Sequence, residues 1–280
     1  MTVLMLLEND YATDFRVQKE VMSLHELNHN VIVAAISRTE APYRDESEKL
    51  IVFRKRIPSL IWKSSVGALR FPMYFSFWKS YVSDILGETH IDSVHVHDLP
   101  LAKIGNWIKK NHHVPFVLDL HENWPDFLDV SQHTKTLAGR LLSSVEQWRK
   151  YEKHSVHQAD RVVTVVSEMR DRLVRNGAKP EKIVVLENTP LKADELKYPK
   201  SNHETTNLVY VGGVTLHRGL QYVIEGLSLL DKKEKWIFKI AGDGKYMKTL
   251  SAMVLSKGLE KKVLFLGKVP KADAEKLVSL

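Results

Sequence analysis

Short apolar runs alternate along this chain with longer amphipathic stretches, and that alternation restricts the fold more than any other feature. The runs at 3–7, 31–35, 51–54, 93–96, 116–119, 161–165 and 182–186 are rich in Val, Ile and Leu and are strand-length. Such near-continuous apolar character suits strands buried on both faces of a parallel sheet. Helical patterns between them point to an α/β class protein. Residues 16–27 place Val17, Val21, Leu24 and Leu27 near one face, and 137–157 predicts a longer helix with a charged outer side. After Asn188 the pattern breaks into a polar tract with Pro190 and Pro199, which reads as a linker. It then restarts as strands at 208–211, 236–240 and 262–266, with helices at 219–230, 245–257 and 271–280. The expected organisation is a Rossmann-like domain over 1–188, a linker over 189–207 and a partial second domain over 208–280. Three strand-helix units make half of an open doubly wound sheet and leave an edge strand unpaired, so the natural protein is expected to be longer.

A length of 280 residues allows about two domains. The 44% apolar and 27% charged content is that of a soluble globular protein. With no cysteine, disulfides and thiolate metal sites are excluded, which fits a reducing compartment. The run at 3–7 has no basic residue ahead of it, so it reads as a first strand and not a signal peptide. No apolar run approaches transmembrane length. The net charge of +7 is uneven: Arg54, Lys55, Arg56, Lys63, Arg70 and Lys79 fall within 50–80 without a carboxylate. Ile57, Leu60, Ile61, Trp62, Phe71, Met73, Tyr74, Phe75, Phe77 and Trp78 are interleaved with them. This segment predicts contact with an anionic membrane surface; the alternative is a solvated basic rim over a core-facing stripe. Nucleic acid is not expected as a partner, because no helix-turn-helix, zinc or RNA-binding signature accompanies the charge.

Residues 208–220 carry the sharpest chemical signal. A strand runs into Gly212-Gly213, a basic loop follows, and a helix opens at Gly219. Bare backbone N–H groups and a positive helix N-terminus there suit an anion, and Arg218 adds a planar cation matched to a diphosphate. A plain strand-helix turn is the alternative. His95 and His97, two apart on a strand, point to the same side. A metal site would need two further ligands, which the spacing does not identify.

Further motifs accumulate in order: Asn9-Asp10, Asp14-x-Arg16-Val17, Leu27-Asn28-His29, His95-Val96-His97-Asp98 and Asp119-Leu120-His121-Glu122, then the stretches 159–167 and 179–188. The second half adds Gly212-Gly213 with Arg218-Gly219, Ile240-Ala241-Gly242-Asp243-Gly244 and the stretch 263–270. Together they make the chain resemble a group 1 (family 4) retaining glycosyltransferase of the GT-B class, over nearly its whole length. The resemblance implies two Rossmann-like domains, with the acceptor on the N-terminal one and a UDP- or GDP-linked sugar on the C-terminal one. It also implies sugar transfer with retention, no metal and no other cofactor. The chain has no Asp-x-Asp of the metal-dependent kind. Growth of charge on the leaving diphosphate is the step that fixed cations and dipoles stabilise.

Carried over by the resemblance, His121 sits beside the donor sugar and phosphate, and Glu122 contacts a sugar hydroxyl; the alternatives are a locally bonded loop histidine and a solvated acid. Gly212, Gly213, Arg218, Gly219, Gly242, Gly244, Lys268 and Val269 form the donor site. Gly213 stands where many members have an arginine, which weakens the clamp. Asp14, Arg16, His97 and Asp98 fall on the acceptor side, with Asp14 and Arg16 equally readable as a helix cap and a surface charge. The family's pair of donor-site glutamates, seven residues apart, is expected beyond Leu280; Glu187 and Glu195 share that spacing by coincidence. The expected role is sugar transfer to a glycan or lipid-linked acceptor in cell-envelope biosynthesis. The expected place is the cytoplasm, peripheral on the inner face of the membrane. A nucleotide-sugar epimerase and a non-catalytic binding module are the alternatives.

Overall fold

The computed structural model describes residues 1–38, 44–130, 143–189, 205–231 and 233–278. The chain divides into two compact units, Met1–Leu191 and Lys192–Leu280. Most of the expected linker at 189–207 lies outside the described residues.

In the first unit, eight strands form one sheet in the order β3-β4-β2-β1-β5-β6-β7-β8. They are β1 (Thr2–Leu7), β2 (Asn30–Ser37), β3 (Arg44–Glu46), β4 (Leu50–Arg56), β5 (Ser93–His97), β6 (Phe116–Leu120), β7 (Arg161–Thr164) and β8 (Ile183–Val185). All pair in parallel except β3, which runs antiparallel along the β4 edge. β2, β4 and β3 lie on one side of β1 and β5 to β8 on the other, so the strand order reverses between β1 and β5.

Alternation along each strand separates two cores. Leu4, Leu6, Val94, Val96, Leu118 and Leu120 belong to the larger. Helix α3 (Met73–Glu88) covers that face with Tyr74, Phe75, Trp78, Tyr81, Val82 and Ile85, all buried. The Tyr81 hydroxyl is shared between the Ala35 and Phe53 carbonyls at 2.9 and 2.8 Å, which ties α3 to β2 and β4. Val3, Met5 and Leu7 face the smaller core, closed by Val17 and Val21 of α1 (Phe15–Glu26).

Helix α1 is bounded by its own sequence. Asp14 accepts from the Arg16 and Val17 backbone N–H groups at 3.2 and 3.5 Å, so the cap reading of Asp14 holds. At the other end Asn28 is left-handed (φ 59). Its N–H donates to His25 O and that of His29 to Leu24 O, both at 2.9 Å. This is a Schellman stop, with Asn28 in the position that glycine commonly fills.

The basic aromatic segment is mostly core. Helix α2 (Ser59–Ser64) and α3 bury Ile57, Tyr74, Phe75 and Trp78, while Ile61, Trp62 and Phe77 pack against them. Among the described large apolar residues of the segment, Leu60, Phe71 and Met73, at 69%, 48% and 41% exposure, remain on the surface. Arg54 pairs with Asp45 at 3.0 Å and Lys55 with Asp84 at 3.1 Å, so the run's charges are partly balanced by acids distant in sequence. A core-facing stripe therefore explains most of its apolar residues. Among the described residues, no helix is long and apolar enough to cross a membrane.

Four further helices complete the first unit: α4 (Ala102–His112), α5 (Trp124–Val130), α6 (Val145–Gln158) and α7 (Ser167–Arg175). The helix expected over 137–157 starts only at Val145 where it is described, because Ser144 is extended; residues 137–142 lie outside the described residues. Glu152 of α6 and Arg172 of α7 form a two-pronged pair at 2.7 and 2.8 Å with the carboxylate buried.

The second unit has a parallel sheet in the order β11-β10-β9. Its strands are β9 (Thr206–Val211), β10 (Trp236–Ala241) and β11 (Val263–Gly267), and its helices are α8 (Leu220–Ser228), α9 (Met247–Ser256) and α10 (Lys271–Val278). Val214, Leu220, Ile224, Phe238, Ile240, Leu250 and Val254 make its core. Among the described residues β9 is an edge strand, as the unit count led one to expect.

Removing one partner of a buried ion pair strands the other charge. Arg172→Met is expected to lower the unfolding free energy by about 3 kcal/mol, read by urea titration, and Glu152→Met in the same chain to restore much of it. An unchanged urea midpoint in the single variant would contradict this account of the pair.

Candidate functional site

Ligand sites in open α/β sheets gather where the strand order reverses, at the carboxyl ends of the strands. In the first unit this is the end of β1, β5 and β6. Glu8 follows β1, Asp98 follows β5 and His121 follows β6. Register sets His97 beside Asp119, and Asp98 N donates to Asp119 O at 2.8 Å. Asp98 is held at φ 67, a backbone region that costs roughly 1–3 kcal/mol for a non-glycine residue.

Three histidine nitrogens surround one oxygen. Asp119 Oδ2 lies 3.3 Å from His95 Nε2, 3.5 Å from His97 Nδ1 and 3.2 Å from His121 Nε2. His95 donates to Asp119, and His97 Nδ1 and His121 Nε2 share a hydrogen bond of 3.2 Å. The rings stack in sequence, His95 on His97 at 4.6 Å and His97 on His121 at 5.5 Å. Glu20 of α1 comes within 3.6 Å of His95 Nε2. His121 Nδ1 is buried with no protein partner among the described residues.

The cluster divides protons unequally. Burial alone would raise the Asp119 carboxyl, but the His95 and His97 hydrogen bonds and the neighbouring imidazoles hold it well below the carboxylate range. Burial opposes a charge on His95, yet Asp119 and Glu20 raise it. Burial and the His95 charge push His97 down to about 4, so that ring stays neutral. Burial also lowers His121. Burial and the Asp119 charge push Glu20 up to about 8.

Glu20, His95, His97 and Asp119 offer donor atoms within 4.8 Å of one another, enough to hold a metal. The His95 and His97 planes, however, stack only 17° from parallel. In-plane lone pairs on stacked rings do not converge on one point, as tetrahedral ligation requires. A carboxylate-centred hydrogen-bond cluster fits the geometry better.

The sequence-predicted residues of this unit come together. Arg16 ion-pairs with Asp14 at 3.0 Å and also feels the charges of Asp98 and Glu122. Burial pushes Asp98 up to about 7 against the pull of Arg16. Glu8, Glu20 and Asp119 were missed. Asp119 had a signal, since it sits two residues before His121. Glu20 had none, because its contact depends on how α1 crosses the sheet.

The predicted donor residues also converge, at the carboxyl ends of the second sheet. Gly212 N donates to Ala241 O at 2.9 Å, Val214 N to Asp243 O at 3.0 Å and Gly242 N to Gly267 O at 2.7 Å. A Cβ on Gly242 would meet the Gly212 carbonyl, and one on Gly244 the Val214 carbonyl. The Tyr210 hydroxyl donates to Gly213 O at 2.8 Å. Arg218 ends a short 3-10 turn, Gly219 (φ 72) turns the chain into α8, and Lys268 and Val269 follow β11. The result is a tight backbone platform with one exposed guanidinium at its rim.

Folded Glu20 keeps a proton between pH 4.5 and about 8 that the unfolded chain has lost. Its contribution to stability therefore falls as pH rises through that window. Glu20→Gln is expected to gain stability relative to wild type between pH values of about 5 and 8, by roughly 3 kcal/mol. Urea midpoints at both pH values test this, and a pH-independent offset would contradict it.

Residues 17–189 match the family model Glycosyltransferase Family 4, and residues 192–280 match Glycosyl transferases group 1. The chain is 26% identical over 179 residues to an alpha-D-kanosaminyltransferase of Streptomyces kanamyceticus, covering 60% of this chain and 45% of that protein. A sucrose-phosphate synthase from Thermosynechococcus elongatus superposes with a TM-score of 0.73 at 14% identity, over 100% of this chain and 73% of its own. Anabaena HepE, solved with UDP and glucose, superposes with a TM-score of 0.63 at 15% identity, over 98% of this chain and 71% of its own. The chain spans about half the length of the curated relatives it matches. Its two units have the GT-B fold class, and the chain belongs to the family 4, group 1 glycosyltransferases.

Proposed function

We propose that the whole protein transfers a sugar, with retention and without a metal, from a nucleoside diphosphate to a glycan or lipid-linked acceptor. The observation that carries this is the platform at Gly212, Gly242 and Gly244, where the backbone packs too closely for a side chain on Gly242 or Gly244, with Arg218 at its edge. Backbone N–H groups and a guanidinium placed there stabilise charge on a departing diphosphate. Anabaena HepE was solved with UDP and glucose, which favours UDP as the nucleotide here.

In this reading Gly212, Gly213, Arg218, Gly219, Gly242, Gly244, Lys268 and Val269 hold the donor. His121, kept neutral by burial, presents Nδ1 to the donor sugar, and Glu122 accepts from a sugar hydroxyl. Asp14, Arg16, His97 and Asp98 border the acceptor. A cell-envelope role at the inner face of the membrane goes with the same reading. Leu60, Phe71 and Met73 beside Lys63 and Arg70 are the surface that would touch lipid.

Calorimetric titration with UDP and GDP tests the donor assignment. One nucleotide is expected to bind selectively, and Arg218→Ala to weaken it about tenfold or more, as loss of a charge-assisted contact does. Gly242→Ala is expected to remove binding by displacing the Gly212 carbonyl. Binding of neither nucleotide, or binding indifferent to both variants, would contradict the assignment.

A further inference from the structure

The backbone builds the platform of the second unit, and one side chain reaches into it. Tyr210, next to last in β9, is half-buried and packs on the core that includes Phe238 and Ile240. Its side chain runs forward beneath the Gly212 turn, where a Cβ on Gly212 would lie 3.0 Å from the Tyr210 hydroxyl oxygen. The hydroxyl ends at Gly213 O, to which it donates at 2.8 Å.

Two consecutive peptides are oriented at this point. The Gly212 carbonyl lies against Gly242, where a Cβ would strike it. A trans peptide sends its C=O and N–H in opposite directions, so the Gly213 N–H turns away from Gly242. That N–H has no protein acceptor among the described residues, and Gly213 is exposed. In the next peptide both ends are taken. Tyr210 holds the Gly213 carbonyl, and the Val214 N–H donates to Asp243 O at 3.0 Å. The N–H and C=O of one residue are close neighbours, so an anion at Gly213 N–H also meets the partial negative charge on Gly213 O. A bare carbonyl oxygen there repels the anion, whereas one that accepts from a hydroxyl has that charge partly neutralised.

We propose that Tyr210 is a positioning residue for the diphosphate. Its hydroxyl holds the Gly213 carbonyl, so that the loop presents the Gly213 N–H to the anion without an opposing bare oxygen. The inference rests on reading the Gly212–Gly213 loop as the donor platform. It adds a residue beyond the glycines and cations of that platform, and it confines the residue's effect to the charged part of the donor.

Inorganic pyrophosphate titrated into the chain carrying isotope-labelled glycine, followed by amide NMR, tests this. The chain has 13 glycines, and Gly213→Ala identifies the Gly213 amide by its loss; a Cβ there meets nothing within 4 Å. Pyrophosphate is expected to shift the Gly213 resonance. Tyr210→Phe is expected to weaken pyrophosphate, and the nucleoside diphosphate that binds, about tenfold. The parent nucleoside, followed by ligand-observed NMR, is expected to keep its affinity. A merely structural loosening would weaken nucleoside and diphosphate alike. An unshifted Gly213 amide, or pyrophosphate affinity indifferent to Tyr210→Phe, would overturn the proposal. So would equal weakening of the nucleoside, or collapse of the second unit's glycine resonances in the variant, because the hydroxyl would then serve folding and not the anion. Pyrophosphate binding that depends on Tyr210, without selective binding of UDP or GDP, removes the nucleotide-sugar reading and leaves this one. Selective nucleotide binding that Arg218→Ala weakens and Tyr210→Phe does not removes this one alone.

Discussion

The Asp119 carboxylate is surrounded by imidazole nitrogens of His95, His97 and His121, between 3.2 and 3.5 Å away. A buried carboxylate is costly unless it is paired or hydrogen-bonded, so this residue dictates what its neighbours do. His95 takes the positive charge, His97 stays neutral and Glu20 keeps its proton. The orientation of His121 follows, with Nε2 turned inward and Nδ1 left for other contacts. None of this is possible unless β5 and β6 pair in the observed register, which sets His97 opposite Asp119.

The same register supplies the hydrophobic foundation. Residues alternate between a large core under α3 and a small one under α1. On β5 and β6 the α1 face turns polar at His95, His97 and Asp119, while the opposite face keeps Val94, Val96, Leu118 and Leu120 in the large core. One face therefore anchors the strands while the other carries the cluster. A slip of one residue would bury the histidines among aliphatic side chains and expose the core. In the second unit no side chains are needed to build the platform, because glycine lets three strand ends approach within backbone hydrogen-bond distance.

Much of this was readable before any coordinates. The apolar runs predicted the strands because buried parallel strands have no polar face to disguise them. The glycine motif at 242–244 was visible because close backbone approach at Gly242 and Gly244 leaves no room for a side chain. The segment at 50–80 was harder. Its lysines and arginines are balanced by Asp45 and Asp84, which approach only through strand and helix packing. Its Tyr74, Phe75 and Trp78 proved to be the core-facing side of α3. Two membership patterns, a membrane-facing helix and a core-facing one, look alike in sequence, and only the opposing sheet distinguishes them. The placement of Glu20 also depends on how elements cross, not on local pattern.

The most direct test of the role assigned to Asp119 is NMR titration of the histidine side chains of the first unit, with Asp119→Asn as comparison. The account predicts that His97 stays neutral down to a pH of about 4, that His95 titrates above its ordinary value, and that replacing Asp119 abolishes this separation. Three histidines titrating together near their ordinary value, with or without Asp119, would contradict it.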